Sequence, residues 1–257
     1  MDEVRLLDEV ALERSSVVAN NAMNRERRLT GSNGYGRELG LDVAEVIRQR
    51  LAQGAPGFRW LDLCCGSGRA LLECAELIDD ERLRIVGVDL VDAFASGRAP
   101  GVEFVTASVT SWSPSERFDL ITCVRGLHYL GDKLKVLAAV SSWLAEDGLF
   151  VANLDLASVL SADARPLDRR LRTALRAQGF DYDGRRRRIS RRGPAAPALP
   201  FDYAGADDRA GPNYTGQPAV NSYYRWASTT RGTNSEITAP TATIAVPTQI
   251  AGTSPST

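Results

Sequence analysis

Long apolar runs are missing from this 257-residue sequence. No stretch approaches the roughly 18 residues that a membrane span needs, so no membrane partner is expected. Charge of one sign is not in excess either. The formal net charge of −1 excludes a global pull toward nucleic acid or anionic lipid. Cysteine is sparse, at positions 64, 65, 74 and 123, with two adjacent and no C-x-x-C pair, so no zinc or other metal site is expected. The opening residues MDEVRLLDEVALERSS are acidic and amphipathic, unlike the basic start and apolar middle of a secretory signal. Buried free thiols in a reducing cytoplasm are the resulting expectation. Repeats of solenoid length are absent too. An apolar content of 44% with 25% charged residues describes an ordinary globular chain with a full core.

Residues 1–57 carry helical patterns. Leu6, Val10, Leu12, Val17 and Val18 recur at helical spacing, and Val43, Val46, Ile47 and Leu51 mark a helix over about 42–53. From residue 58 strands and helices alternate. The runs RWLDLC, RIVGVDL, VEFVTA, FDLITCV and LFVANL read as strands, with helices at 69–78, 132–144 and 165–178 between or after them. Near-continuous apolar strands separated by helices predict an α/β fold, with a doubly wound, mostly parallel sheet of about seven strands. RRRRIS and LPFDYA suggest an antiparallel pair joined by GPAAPA. The Thr- and Ser-rich segment from 227 onward has no apolar face to bury and predicts a disordered tail. The expected organisation is a helical lid over 1–57, an α/β domain over 58–226, and the tail over 227–257.

In an open parallel sheet, ligands sit beyond the carboxyl ends of the strands. The first strand delivers Asp62-Leu63-Cys64-Cys65-Gly66-Ser67-Gly68 to that edge. Gly66 and Gly68 permit a tight turn and close approach to a ligand. The helix that follows presents unpaired amides to the same place. Asp89 lies 21 residues beyond Gly68 at a strand end, where its carboxylate can accept from ribose hydroxyls. A dinucleotide fingerprint would place a third glycine where Leu71 stands, which counts against a nicotinamide-dependent oxidoreductase.

With these residues the sequence resembles the class I S-adenosylmethionine-dependent methyltransferases, over about 58–155 and more loosely to about 204. Asp62 through Gly68 is similar to that family's D-x-x-x-G-x-G motif, and Phe118-Asp119 to the opening of its fourth strand. The resemblance implies S-adenosylmethionine as cofactor. It implies that Asp62 helps to position the methionine ammonium, and that Cys64, Gly66, Ser67 and Gly68 surround the methionine part. Asp89 would hold the ribose, with Leu90 and Val124 as neighbouring walls. One departure stands out. The acid that the family often carries after its third strand is replaced by Ser108, which could accept a hydrogen bond from adenine while the Val109 amide donates one.

For the acceptor, the loop after the fourth strand supplies Arg125, His128 and Tyr129. His128, the sole histidine, is either a general base or a hydrogen-bonded structural residue. Arg125 either binds an anionic acceptor or pairs with a neighbouring carboxylate. Tyr35 and Arg37 lie in a glycine-rich turn, as lid contacts to cofactor or acceptor or as an ordinary helix entry. Asn213 and Tyr214, in the turn-rich GPNYTGQP segment, either close over the pocket or anchor the chain. Residues 165–192 hold eleven arginines against three aspartates. They read as a solvated face paired with acids, or as an RNA-binding face of an RNA methyltransferase. The N-P-P-Y-like sequence of base-amino methyltransferases is replaced here by VRGLH. The leading expectation is methyl transfer to oxygen or nitrogen of a small molecule, with a domain that binds cofactor without turnover as the remaining alternative.

Overall fold

A computed structural model describes residues 5–19 and 26–227. The tail expected from 227 onward lies outside the described residues, apart from Ala227 itself. Four short helices come first: α1 (Glu9–Glu13), α2 (Ser16–Ala19), α3 (Tyr35–Leu39) and α4 (Val43–Ala52). Asp8 and Asp42 cap α1 and α4 by accepting the amides of Ala11 and Glu45 at 2.8 and 3.0 Å.

The alternation then begins with β1 (Phe58–Leu63), α5 (Arg69–Ile78), β2 (Leu83–Asp89), β3 (Val102–Thr106) and β4 (Phe118–Cys123). It continues with α6 (Lys133–Ser142), β5 (Leu144–Asn153), β6 (Val159–Ser161), α7 (Asp168–Ala177), β7 (Asp181–Asp183) and β8 (Arg188–Arg192). Seven strands form one sheet in the order β3-β2-β1-β4-β5-β8-β7. The pairings from β3 through β5 are parallel, and β8 runs antiparallel to both β5 and β7. The strand order turns back on itself at β1, so the first crossover places its loop at the sheet's switch point. Successive strand residues face opposite layers: Trp60, Leu120 and Val151 pack under α3, α4 and α5, whereas Leu61, Ile121 and Phe150 pack under α6 and α7.

The expected pairing of RRRRIS with LPFDYA does not form. Arg188–Arg192 pairs instead with β5 and β7. Phe201–Asp207 becomes β9 of a second, three-stranded sheet ordered β6-β10-β9, where β10 is Asn221–Trp226. The reason is burial. Ile189 reaches 0% exposure only as a member of the main core, and Tyr224 and Ser222 of β10 supply β9 with buried partners. The second sheet is extended by the N-terminal segment, since Leu7 and Ala206 exchange both backbone hydrogen bonds, at 2.7 and 2.9 Å. Lys133 ties it to α6. Its fully buried ammonium donates to the Leu130 and Val220 carbonyls at 3.0 Å each and to Ser222 Oγ at 2.6 Å. Burial pulls its pKa down to about 7.

Gly68 stands at the entry of α5 with φ +69°, where a Cβ would come within 2.1 Å of the Phe104 ring. Phe104 is itself stacked on Phe94 at 4.7 Å and cannot swing away without losing that contact. Gly68→Ala is therefore expected to cost about 1–3 kcal/mol in urea unfolding. Gly54→Ala, also at positive φ but with open space around it, should cost less. Equal losses at the two positions would contradict the steric explanation.

Candidate active site

The loop after β1 is built from left-handed residues: Cys64, Gly66 and Gly68 have φ of 56°, 61° and 69°. Such a loop needs external acceptors for its amides. Cys65 N donates to the Val88 carbonyl at 3.1 Å, and Gly66 N to Asp89 Oδ2 at 2.9 Å. The other oxygen of Asp89 accepts the Val91 amide at 3.1 Å. Asp89 thus locks the glycine loop to the end of β2 while its carboxylate stays on the cavity wall.

Beneath the loop lies a second carboxylate. Asp62, 1% exposed, accepts from Tyr35 Oη at 2.6 Å and from Thr122 Oγ1, and Thr122 accepts from Trp60 Nε1 at 2.8 Å. Burial lifts the Asp62 pKa to about 7; the two hydroxyl donors work against that rise, and Asp89 adds to it. Tyr35 is pushed well above its ordinary value by the same burial and by Asp62.

Above the strand ends lies a cavity that opens to solvent. Its floor is Cys64, Gly66, Asp89 and Leu90, with Ser108 and Val109 beyond β3. The loop after β4 contributes Val124, Arg125, Gly126 and Tyr129, followed by Leu130 and Gly131. The roof comes from the N-terminal segment, as Glu9, Leu12, Glu13 and Val18. Among the described residues no group of three or more His, Cys, Asp or Glu is placed to hold a metal ion.

Nine residues singled out in the sequence meet on this wall: Cys64, Gly66, Asp89, Leu90, Ser108, Val109, Val124, Arg125 and Tyr129. The others lie elsewhere. Asp62 and Tyr35 bond to each other below the loop, and Ser67 is buried behind it. Arg37 is exposed and donates to the Ser32 carbonyl at 3.2 Å. None of the four roof residues was singled out in the sequence as a site residue, although Leu12 and Val18 belong to the helical pattern of the lid expected over 1–57. Glu9, Leu12 and Glu13 do share one face of α1 by spacing, but nothing local says which surface that face covers.

Arg125 has a carboxylate partner already. Its guanidinium grips both oxygens of Glu38, at 3.0 and 2.6 Å, and Arg27 approaches the same carboxylate to 3.6 Å. Asn153 completes the clamp, accepting the Arg125 amide at 3.1 Å and donating to the Glu38 carbonyl at 3.2 Å. Of the arginines in 165–192, Arg172 and Arg186 pair with Asp168 and Asp183, while Arg188 and Arg191 donate to the Leu39 and Gln178 carbonyls. None of the eleven lines the cavity.

His128 is 1% exposed and is not on the cavity wall. Tyr214 meets it edge-on, with Oη 3.4 Å from Nε2, and Arg187 covers the Tyr214 ring at 4.0 Å. Asn213 shapes that loop by accepting the Thr215 amide and hydroxyl at 2.8 and 2.6 Å. Burial, reinforced by Lys133, Arg125, Arg27 and Arg187, pushes the His128 pKa down to about 3. The ring is therefore neutral and weakly basic at any physiological pH. An unfolded chain would protonate it below about pH 6.5, so stability is lost as pH falls from there toward 3. His128→Gln should remove that loss. The stability difference between the two proteins should shift in favour of the variant by about 1 kcal/mol from pH 6 to pH 5. Parallel pH profiles in denaturant unfolding would refute the assignment.

A family model described as "Methyltransferase domain" matches residues 35–193. No curated protein is a significant match. Similar solved structures include coclaurine N-methyltransferase bound to N-methylheliamine and SAH, at 23% identity, 42% of this chain, 34% of that one and a TM-score of 0.35. The plantazolicin methyltransferase BpumL in complex with SAH gives 14%, 45%, 46% and 0.38 on the same measures. The sugar N-methyltransferase KedS8 from Streptoalloteichus sp. gives 22%, 43%, 45% and 0.33. The alignments thus span less than half the length of each of these relatives.

Proposed function

Because the chain belongs to the methyltransferase-domain family, we propose that it transfers the methyl group of S-adenosylmethionine to an oxygen or nitrogen of a small acceptor. The observation that carries the reading is Asp89, a carboxylate that braces the glycine loop while lining a roofed cavity. Its position suits the ribose hydroxyls, with Leu90 and Val109 as apolar walls for adenine. Gly66 and Cys64 then face the methionine part. Asp62 lies one layer deeper and acts on the methionine ammonium through the loop and by its charge.

S-adenosylmethionine, when bound, supplies a methyl group already activated by the sulfonium. What remains for the protein is alignment and exclusion of water. Leu12 and Val18 roof the cavity against solvent, and Tyr129 and Leu130 shape the side beyond the glycine loop. The Arg125–Glu38–Asn153 clamp holds the loop after β4 in place, with Arg125 itself at φ 58°. We assign no general base. His128 is too weakly basic and too enclosed for that part, and serves to seat Tyr214 and the loop.

A small acceptor is favoured over RNA by the local partners of the arginines in 165–192, none of which lines the cavity. Leu71, fully buried in the place of a third glycine, weighs against a nicotinamide dinucleotide.

Calorimetry with S-adenosylhomocysteine, S-adenosylmethionine and NAD tests the reading. The adenosyl compounds should bind and NAD should not, with Asp89→Ala weakening S-adenosylhomocysteine at least about tenfold, or ~1.4 kcal/mol. Affinity should also rise as pH passes upward through about 7, where Asp62 ionises, and Asp62→Asn should flatten that rise. No binding of either adenosyl compound at millimolar concentration would overturn the proposal. Binding without turnover on any acceptor would reduce it to cofactor binding alone.

A further inference from the structure

Ser108 lines the cavity just beyond the end of β3, and its hydrogen bonds are spoken for. Its hydroxyl donates to a Glu13 carboxylate oxygen, since an ionised carboxylate can only accept. Thr110 Oγ1, at 2.8 Å, must then be a donor to Ser108, and the Thr110 amide points to the same oxygen at 3.3 Å. Both lone pairs of Ser108 are thereby engaged, so it has no acceptor capacity to offer a ligand. Glu13 differs. A carboxylate accepts at about four positions, and Ser108 takes one. Glu13 lines the cavity together with Ser108 and the apolar residues Leu12, Val18, Leu90 and Val109.

With the ribose at Asp89, the wall residues available to a base attached to it include Leu90, Val109 and Glu13. The flat faces of such a base meet aliphatic side chains, and an exocyclic amine needs an acceptor there. We propose that Glu13 is that acceptor: the roof segment, not the loop after β3, reads the 6-amino group of adenine. The inference rests on the ribose reading of Asp89. Glu13 is held in place by contacts distant in sequence, as α1 is fixed by the Leu7–Ala206 bridge and by Glu9, which accepts the Asp132 amide at 2.6 Å.

The test compares S-adenosylhomocysteine with S-inosylhomocysteine, in which a carbonyl oxygen replaces the amine, by calorimetry on the full chain. The wild-type protein should prefer the adenosyl compound by about tenfold or more, because a carboxylate facing a carbonyl oxygen leaves both without a donor. Glu13→Gln carries an amide that both donates and accepts. It should weaken S-adenosylhomocysteine by about three- to tenfold and bring the two ligands within about threefold of each other. Ser108→Ala should keep the wild-type preference, since Ser108 does not read the base. Equal weakening of both ligands by Glu13→Gln would overturn the inference and leave Glu13 as a roof contact only. Loss of the preference in Ser108→Ala would overturn it in favour of Ser108. Failure of the wild-type protein to bind S-adenosylhomocysteine at all would overturn the Asp89 reading and this inference together.

Discussion

The buried carboxylate of Asp62 is the point on which the site's geometry turns. Placed at the end of β1 with almost no solvent contact, it needs hydrogen-bond donors from somewhere. They arrive from two separate parts of the chain: Tyr35 on α3, and Thr122 on β4, itself held by Trp60. Satisfying one acid therefore fixes a helix, two strands and the start of the glycine loop against one another. Deleting a donor would strand a desolvated oxygen, which is more costly than the bond itself is worth. Tyr35 belongs to this bracing, and α3 in turn presents Glu38 to Arg125.

A second constraint works from the far side of the molecule. β9 and β10 lie outside the main sheet, yet they decide where the roof rests, because Leu7 adds to the edge of β9. Lys133 fastens the same sheet to α6 through three acceptors for its three N–H groups. The route from the last described strand to the cavity is thus continuous and made of buried or partly buried hydrogen bonds. A roof positioned in this way has a defined height above the glycine loop, a requirement for excluding water from a methyl transfer.

Charge is distributed with a bias that suits the proposed chemistry. Arg125 shares the Glu38 carboxylate with Arg27, and His128 is kept uncharged by burial and by the cations around it. The carboxylates on the cavity wall are Glu9, Glu13 and Asp89. Such a wall favours a ligand with positive charge, as a sulfonium has, and sets the basic stretch of 165–192 apart from the site.

Much of this was legible in the sequence, for a physical reason. Strand runs, the glycine turn and the acid after β2 are local patterns, set by burial on two faces, positive φ and the end of a strand. They gave the sheet, the glycine loop with Cys64 and Gly66, and Asp89; the family resemblance added Leu90, Ser108, Val109 and Val124, and the loop after β4 added Arg125 and Tyr129. The partner of RRRRIS, the commitment of Arg125 to Glu38 and the enclosure of His128 were not legible, since each depends on which distant surface arrives. Ser108 shows the division most clearly. Its sequence position marked an acid that was missing after the third strand. Only the fold brought Glu13, 95 residues earlier, to that hydroxyl, because α1 is placed by partners distant in sequence: β9 beside Leu7, the Asp132 amide on Glu9, and Ala206 and Val220 around Leu12.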